Sequence, residues 1–345
     1  MSPEPTRRAV LKAAGGGMAA FSAAADSALA QTTGTTIPFS LIVDDGSPVD
    51  PLFYEWPGYE TPFLVPAEFT TRVAETFERF GLRGKITMIP MPSCLGRIDQ
   101  SLKRVPQEHL QTFLKIVRDR IAPRFDITPE FLTHLRAYNL KTGDYQHIYE
   151  DVWITHAPLD EIVEYFTLAF QILQNVGLPA TGITSPWVSG IDVEKKYAQA
   201  LADAQWKVFQ RKVTWYFLYG SDLGPPRKLS VEYEEPGRGQ KVVSVPANAP
   251  DIFWTMERPP GERPQLIQHN IDRLLAADGR TGRIRELIEA GAPVMLLTHW
   301  QSLYTQGTGL GLEGLATLAE RIQKVFGASV EWISCSERAH RFVSA

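Results

Sequence analysis

The sequence predicts an α/β fold built on a parallel sheet, and three observations carry that prediction. Short, near-continuous apolar runs alternate with amphipathic helical stripes along most of the chain, the pattern of strands buried on both faces by crossover helices. Glycine and proline fall between these segments rather than inside them. Carboxylates, imidazoles and indoles follow the apolar runs instead of interrupting them. In a parallel α/β barrel the C-terminal strand ends share one rim, where active sites lie.

The elements follow in order. "IPFSLIV" (37–43) reads as a buried strand, and "PAEFTTRVAETFERFG" (66–81) spaces Phe69, Val73 and Phe77 four apart on a helix closed by Gly81. "GKITMIP" (84–90) is a second strand and "PQEHLQTFLKIVRDRI" (106–121) a helix with Pro106 near its start. "EFLTH" (130–134) reads as a short strand. A long amphipathic helix over 157–179 ends at Gly177, followed by a short strand "TGIT" (181–184) and a helix over 192–204. Strands and loops fill 206–254, with a hairpin about Gly237–Gly239, and the proline-rich "ERPPGERP" (257–264) is a surface loop. "APVMLLTH" (292–299) is a strong buried strand. A helix over 312–326 carries Leu312, Leu315, Leu318, Ile322 and Val325 on one face, and "SVEWIS" (329–334) is a last strand before a short helix.

The first thirty of the 345 residues read as a leader, not as fold. Thr6-Arg7-Arg8 precedes a mildly apolar stretch rich in Ala and Gly, and Ala28-Leu29-Ala30 supplies small residues before Gln31. That order of features is a twin-arginine signal peptide (1–30), which predicts export in the folded state to the periplasm or beyond, with the export machinery as a partner. The apolar stretch is short and glycine-filled, so a retained membrane anchor is not expected. Residues 31–345 then form one domain. Losing Glu4, Arg7, Arg8, Lys12 and Asp26 with the leader takes the formal charge from −4 to −5. No basic run exists, which argues against a nucleic-acid partner. Cys94 and Cys335 either pair in an oxidising compartment or stay free thiols, and neither has metal-site spacing to another cysteine.

What stands at each strand end is the chemical signal. Asp44-Asp45 follow "SLIV", His134 ends "EFLTH", Ser185-Pro186-Trp187 follow "TGIT", Asp251 and Trp254 sit in "DIFWT", and His299-Trp300 follow "MLLT". Two adjacent aspartates repel, and an Asp-Gly turn needs only one. A mixed His and carboxylate set suits Zn²⁺ or a similar divalent ion, which polarises a carbonyl and acidifies water while a nearby carboxylate takes the proton. Asp45 and His134 as ligands, Asp44 as base and His299 as acid fill those roles. Trp187, Trp254 and Trp300 are either core aromatics or flat platforms for a sugar. The glycines of "GTGLGLEG" (307–314) lack the strand and Lys-Ser/Thr of a phosphate cradle and read as a rim loop.

This set resembles the NodB-like polysaccharide deacetylases, metal-dependent carbohydrate esterases on a distorted (β/α) barrel. "SLIVDDG" (40–46) is similar to their first motif, which implies that Asp44 is the base and Asp45 binds metal. "VMLLTH" looks like their late motif and places the acid at His299. "TSPW" (184–187) is similar to a middle Arg-x-Pro motif, and "DIFW" to one whose Asp, here Asp251, helps orient the Arg. The motifs run in family order over roughly residues 37–340.

Two positions depart from the pattern. The family's His-x-x-x-His has His134 and then Tyr138, so the further ligand is expected from His147, thirteen residues after His134 in a loop, with Asn139, Glu130 or water as the alternatives. Thr184 stands where the family has the Arg that steadies the base, and it is counted with Trp187, Trp254 and Trp300 among the residues expected to bind substrate. The resemblance implies removal of an N- or O-acetyl group from a glycan or a small non-peptide amide. The alternative is a carbohydrate-binding pseudoenzyme on the same barrel, without a competent metal site. A glycosidase would need two carboxylates at a separation that sequence does not give.

Overall fold

The apolar run at 37–43 becomes β1 (Ile37–Asp44), buried from Phe39 onward. The computed structural model describes residues 36–50, 63–220 and 224–345, and residues from Thr36 on form one unit. The twin-arginine reading falls on residues 1–30, outside the described residues. Among the described residues no helix is long and apolar enough to cross a membrane.

After β1, helix α1 (Ala67–Phe80) buries Phe69, Val73 and Phe77 and stops at Gly81. There φ is 62°, a left-handed conformation that lets the glycine N–H reach back to the last carbonyls. β2 (Gly84–Met88) is wholly buried. α2 (Gln107–Ile116) runs on through a π turn, Val117–Ile121, into β3 (Phe125–Pro129). The strand expected at 130–134 therefore lies five residues earlier, at Phe125–Pro129. Asp126 disguised it by breaking the apolar run, but its carboxylate is buried and accepts the Ser336 N–H and O–H, both at 2.6 Å.

A hairpin that the sequence did not reveal follows, β4 (Arg136–Asn139) against β5 (Asp144–Tyr149), and leads into the short α3 (Glu150–His156). α4 (Leu159–Asn175) buries Ile162, Phe166, Phe170 and Leu173; full burial of each such side chain contributes about 1.5–3 kcal/mol. β6 (Ile183–Thr184), α5 (Glu194–Phe209) and β7 (Val213–Phe217) come next. The expected hairpin is β8 (Ser230–Glu235) and β9 (Gln240–Ser244). α6 (Arg263–Leu274) and α7 (Arg283–Glu289) precede β10 (Val294–His299).

α8 (Trp300–Tyr304) starts directly after β10, and α9 (Leu310–Phe326) takes up Gly311 and Gly314 of the segment read as a rim loop, leaving Gly307 and Gly309 before it. Gly311 is there for close packing: a Cβ on it would lie 1.9 Å from the Ser302 carbonyl oxygen. β11 (Val330–Trp332) and α10 (Cys335–Ser344) finish the chain, with Ser334 capping α10 by accepting the Glu337 N–H at 3.2 Å.

The strands form a parallel sheet in the order β10-β1-β2-β3, with β11 beside the first residues of β1. A second sheet runs β6-β7-β9-β8, parallel except for β8. Single parallel bridges, Glu130 to Thr184 and Ala249 to Leu296, tie the sheets together. Because side chains alternate along a strand, one face of each sheet packs under helices. The other face contributes Ile42, Trp215, Phe217, Val243, Met295 and Leu297 to a separate small cluster shared by both sheets, which Cys335 and Ala339 of α10 also join. Cys94 and Cys335 are both free thiols.

Candidate metal and acid–base site

The site grows from the end of β1. Register pairs Asp44 with His299 across β1 and β10, so the last residues of two central strands meet there. Asp44 keeps strand geometry. Asp45 leaves it with φ at 63°, and the two neighbouring carboxylates take different partners, Lys85 for Asp44 and His134 for Asp45. His134 and Trp187 also hold positive φ, at 54° each. Three non-glycine residues in this sparsely populated region, each costing about 1–3 kcal/mol, need surroundings that enforce them.

For His134 the enforcing group is Glu150. Its buried carboxylate accepts the N–H of Leu132, Thr133 and His134, each at 2.9 Å, and the Tyr165 hydroxyl at 2.7 Å. Burial lifts its pKa to about 7 against the pull of those four donors. Tyr165 in turn accepts the Tyr138 N–H at 3.0 Å, so α3, α4 and β4 all converge on the turn that presents His134. Glu150→Gln leaves one oxygen where two are needed and turns an amide N–H against a backbone N–H. The expected cost is about 2–3 kcal/mol of stability, read as a lower denaturation midpoint, with weaker metal retention because the His134 turn loosens.

His134 Nε2 lies 3.0 Å from Asp45 Oδ1 and 3.4 Å from Glu130 Oε1. Glu130, just past β3, also accepts the Asp45 N–H at 3.0 Å through its other oxygen. One ligand atom from each of the three buried residues lies within 4.8 Å of the others. The protons are shared unequally. Burial raises Glu130 to about 8, helped by the charge of Asp45. Burial also works against the Asp45 anion, but the His134 charge and hydrogen bonds hold it well below the usual carboxylate range. Asp45 Oδ1 is buried and faces His134 Nε2, a contact that a cation between the two would take over. Two carboxylates and an imidazole that bring one donor atom each within 4.8 Å of the others, in a buried site, fit a divalent cation.

A second pair stands beside this group. His299 Nδ1 lies 2.7 Å from Asp251 Oδ2, which also accepts the His299 N–H at 3.1 Å and the Ser302 hydroxyl at 2.5 Å. Asp251 Oδ1 takes the Phe253 N–H at 2.9 Å, so the carboxylate is held from both sides. Burial disfavours the imidazolium. The Asp251 hydrogen bond and the charges of Asp45, Asp251 and Asp44 outweigh that and raise His299 to about 9. With Nδ1 engaged, Nε2 is the nitrogen left to give up a proton. Asp44 pairs instead with the buried ammonium of Lys85, and burial raises its pKa despite that partner.

Comparison with solved structures adds the fold. The chain is similar to a Mycobacterium smegmatis protein described as a polysaccharide deacetylase, with TM-score 0.51 and 13% identity over 92% of this chain and 93% of that one. The fold is of the polysaccharide deacetylase kind. Lower-scoring likenesses include a family 4 carbohydrate esterase of Streptomyces lividans in complex with acetate (TM-score 0.40, 10% identity, 86% of this chain and 92% of that one). A family 4 pseudoenzyme of Bacillus anthracis gives TM-score 0.38 and 8% identity over 88% of this chain and 65% of that one. No protein-family model and no curated protein matches the chain. A shared fold leaves the chemistry to the site residues.

Set against that deacetylase-like fold, the expected residues divide. Asp44, Asp45, His134, Asp251 and His299 gather at the strand ends. His147 does not: it lies exposed on β5, outside the Asp45–Glu130–His134 group, and Glu130 stands there instead. Tyr138, at the second histidine position, packs its ring on Tyr145 at 5.2 Å across the hairpin. Trp300 is fully buried against Phe69 and Phe113, because α8 begins at Trp300 and swings its side chain to the helix-covered side. Thr184 is fully buried too, its hydroxyl bonded to Lys85 and Thr128 rather than presented to a substrate. Trp187 lies 4.9 Å from the His134 ring and Trp254 5.3 Å from the His299 ring, so the half-buried indoles flank the two halves of the site. Asp251 orients a histidine, not the arginine that the family pattern implied. Lys85, Glu150 and Ser302 escaped the sequence reading; only Lys85 left a signal, as a lone charge inside an apolar strand.

Proposed function

We propose that this protein is a metal-dependent hydrolase that removes an acyl group, N- or O-acetyl, from a carbohydrate or a related small non-peptide amide. The reading places it on a distorted (β/α) barrel and has it exported folded through the twin-arginine pathway. The observation that carries the reading is the divergence of Asp44 and Asp45. Neighbouring carboxylates serve two separate centres, one a three-donor cation group and the other a base beside an Asp-held histidine.

Asp45, Glu130 and His134 would hold the cation. When bound, it supplies Lewis-acid polarisation of the acyl carbonyl and stabilises the developing oxyanion. The chain's own residues do the rest. Asp44 accepts the proton of the attacking water. His299 carries a proton on Nε2 and delivers it to the departing nitrogen or oxygen. Asp251 keeps the imidazole in one orientation and favours its charged form. Trp187 and Trp254 border the site and offer flat apolar faces to a sugar ring. Zinc suits the single imidazole; two carboxylates make manganese or another oxygen-preferring ion a closer competitor than at a histidine-rich site.

Two measurements on purified protein test the reading: metal content after equilibration with divalent ions, and acetate release from acetylated glycans and small acetamides. Near-stoichiometric metal together with acetate release is the expected result. Stoichiometric metal without acetate release from any acetylated substrate removes the hydrolase. Protein that takes up no metal removes it as well, and leaves a carbohydrate-binding protein, the reading that Tyr138 at the second histidine position favours.

A further inference from the structure

We infer that Lys85 is the positioning residue of the base: its buried ammonium is the fixed counter-ion that orients Asp44, in the space that a side chain from position 184 would otherwise fill. The inference deepens the hydrolase reading and rests on it for its catalytic half alone.

Lys85 sits on β2 opposite Ile42 of β1, on the face that carries the small inter-sheet cluster. Its side chain is fully buried. The ammonium contacts Asp44 Oδ1, donates to Thr184 Oγ1 at 2.7 Å and lies 4.8 Å from the centre of the Phe217 ring. A carboxylate, a hydroxyl and an aromatic face account for its donors and its charge. Burying an ammonium is among the costliest placements in a protein, and an apolar side chain of similar volume would fill the same space more cheaply. A lysine here therefore points to a task that needs the charge.

The geometry specifies the task. With Oδ1 held by Lys85, the Asp44 carboxylate cannot swing toward the Asp45–Glu130–His134 group, and Oδ2 remains to take a proton. Asp44 stands outside the cation group for the same reason. Position 184 completes the arrangement. Threonine is short enough to leave room for the ammonium and contributes a hydroxyl that also bonds Thr128 at 2.9 Å. A long cationic side chain at 184 and the Lys85 ammonium would compete for one volume, so the two positions are exchangeable sources of a single charge.

The test compares wild type with Lys85→Met, Asp44→Asn/Lys85→Met and Lys85→Met/Thr184→Arg. Metal content, melting temperature at pH 8, kcat and KM are read for each. Lys85→Met is expected to keep its metal and to melt several degrees lower, because it strands a buried carboxylate. It loses about 10²-fold or more in kcat with little change in KM. Adding Asn at position 44 restores the melting temperature without activity. Adding Arg at position 184 restores kcat to within about tenfold of wild type, since an always-charged group returns to the same volume. Wild-type kcat in Lys85→Met overturns the proposal, as does a melting loss that Asp44→Asn leaves unchanged. Wild type that releases no acetate sinks the hydrolase reading alone; the melting comparison then decides by itself whether Lys85 is the counter-ion of Asp44.

Discussion

Asp45→Ala, Glu130→Ala and His134→Ala are each expected to empty the cation group and to lower acyl hydrolysis by well over the roughly 100-fold typical of changes outside the ligand shell. Each of the three supplies one donor atom, all within 4.8 Å, and among the described residues no other His, Cys, Asp or Glu joins the group; His147 lies exposed on β5, outside it. The pH dependence of loading follows from the proton distribution. In the ion-free protein Glu130 titrates near 8 and Asp45 is already ionised. A divalent ion arriving below pH 8 must displace the Glu130 proton, so affinity rises with pH up to about 8 and levels off above it. Calorimetry at pH 7 in two buffers of different ionisation enthalpy should report release of at least one proton, from Glu130 and from the His134 imidazolium that pairs with Asp45, and Glu130→Ala should abolish binding and with it the release. Glu130→His is the discriminating companion. It replaces an oxygen donor with a nitrogen and should raise the preference for zinc over manganese, measured by direct competition. Metal retained at full stoichiometry in all three alanine variants would place the cation elsewhere.

Asp251→Asn is expected to remove most activity between pH 7 and 9 while leaving metal content intact. The sign follows from the role. His299 must be protonated to act as an acid, so the alkaline limb of kcat falls as pH rises through its pKa. With Asp251 in place that pKa is about 9, because the hydrogen bond and three nearby carboxylates outweigh burial. Removing the Asp251 charge and weakening the 2.7 Å contact lets it drop toward the ordinary 6.5, so the limb shifts downward by up to about two units. His299→Ala should cost about 10²–10⁴-fold in kcat at every pH, the range for loss of a positioned general acid. An unchanged alkaline limb in Asp251→Asn would assign that limb to another group.

Much of the catalytic line was legible before folding. Asp44, Asp45 and His299 each follow an apolar run directly, and parallel strands bring their C-terminal ends to one edge whatever the intervening sequence. Adjacency across strands therefore follows from strand order alone. Residues one step beyond a strand are another matter, because a single change of dihedral angle redirects them. Trp300 is next to His299 in sequence yet lies under the helices, since α8 begins there. Asp45 departs from strand geometry and meets His134, while Asp44 beside it meets Lys85.

The third member of the cation group was open for a similar reason. The sequence points to His147 as that donor, yet Asn139 and Glu130 also lie near His134 and spacing excludes neither. The choice fell to the turn held by Glu150, which brings His134 back over Glu130, and to the β4–β5 hairpin, which carries His147 away. Lys85 and Asp251 show the same limit at longer range. The sequence by itself determined the parallel α/β plan, the strand ends and the residue types standing on them, because periodicity and chain reversals are local properties. Only the tertiary structure decided which charge faces which: Lys85 reaches Asp44 through β-sheet register, and Asp251 reaches His299 across 48 residues. A buried charge takes the partner that folding brings within hydrogen-bond reach, and that partner is set by packing between elements rather than by distance along the chain.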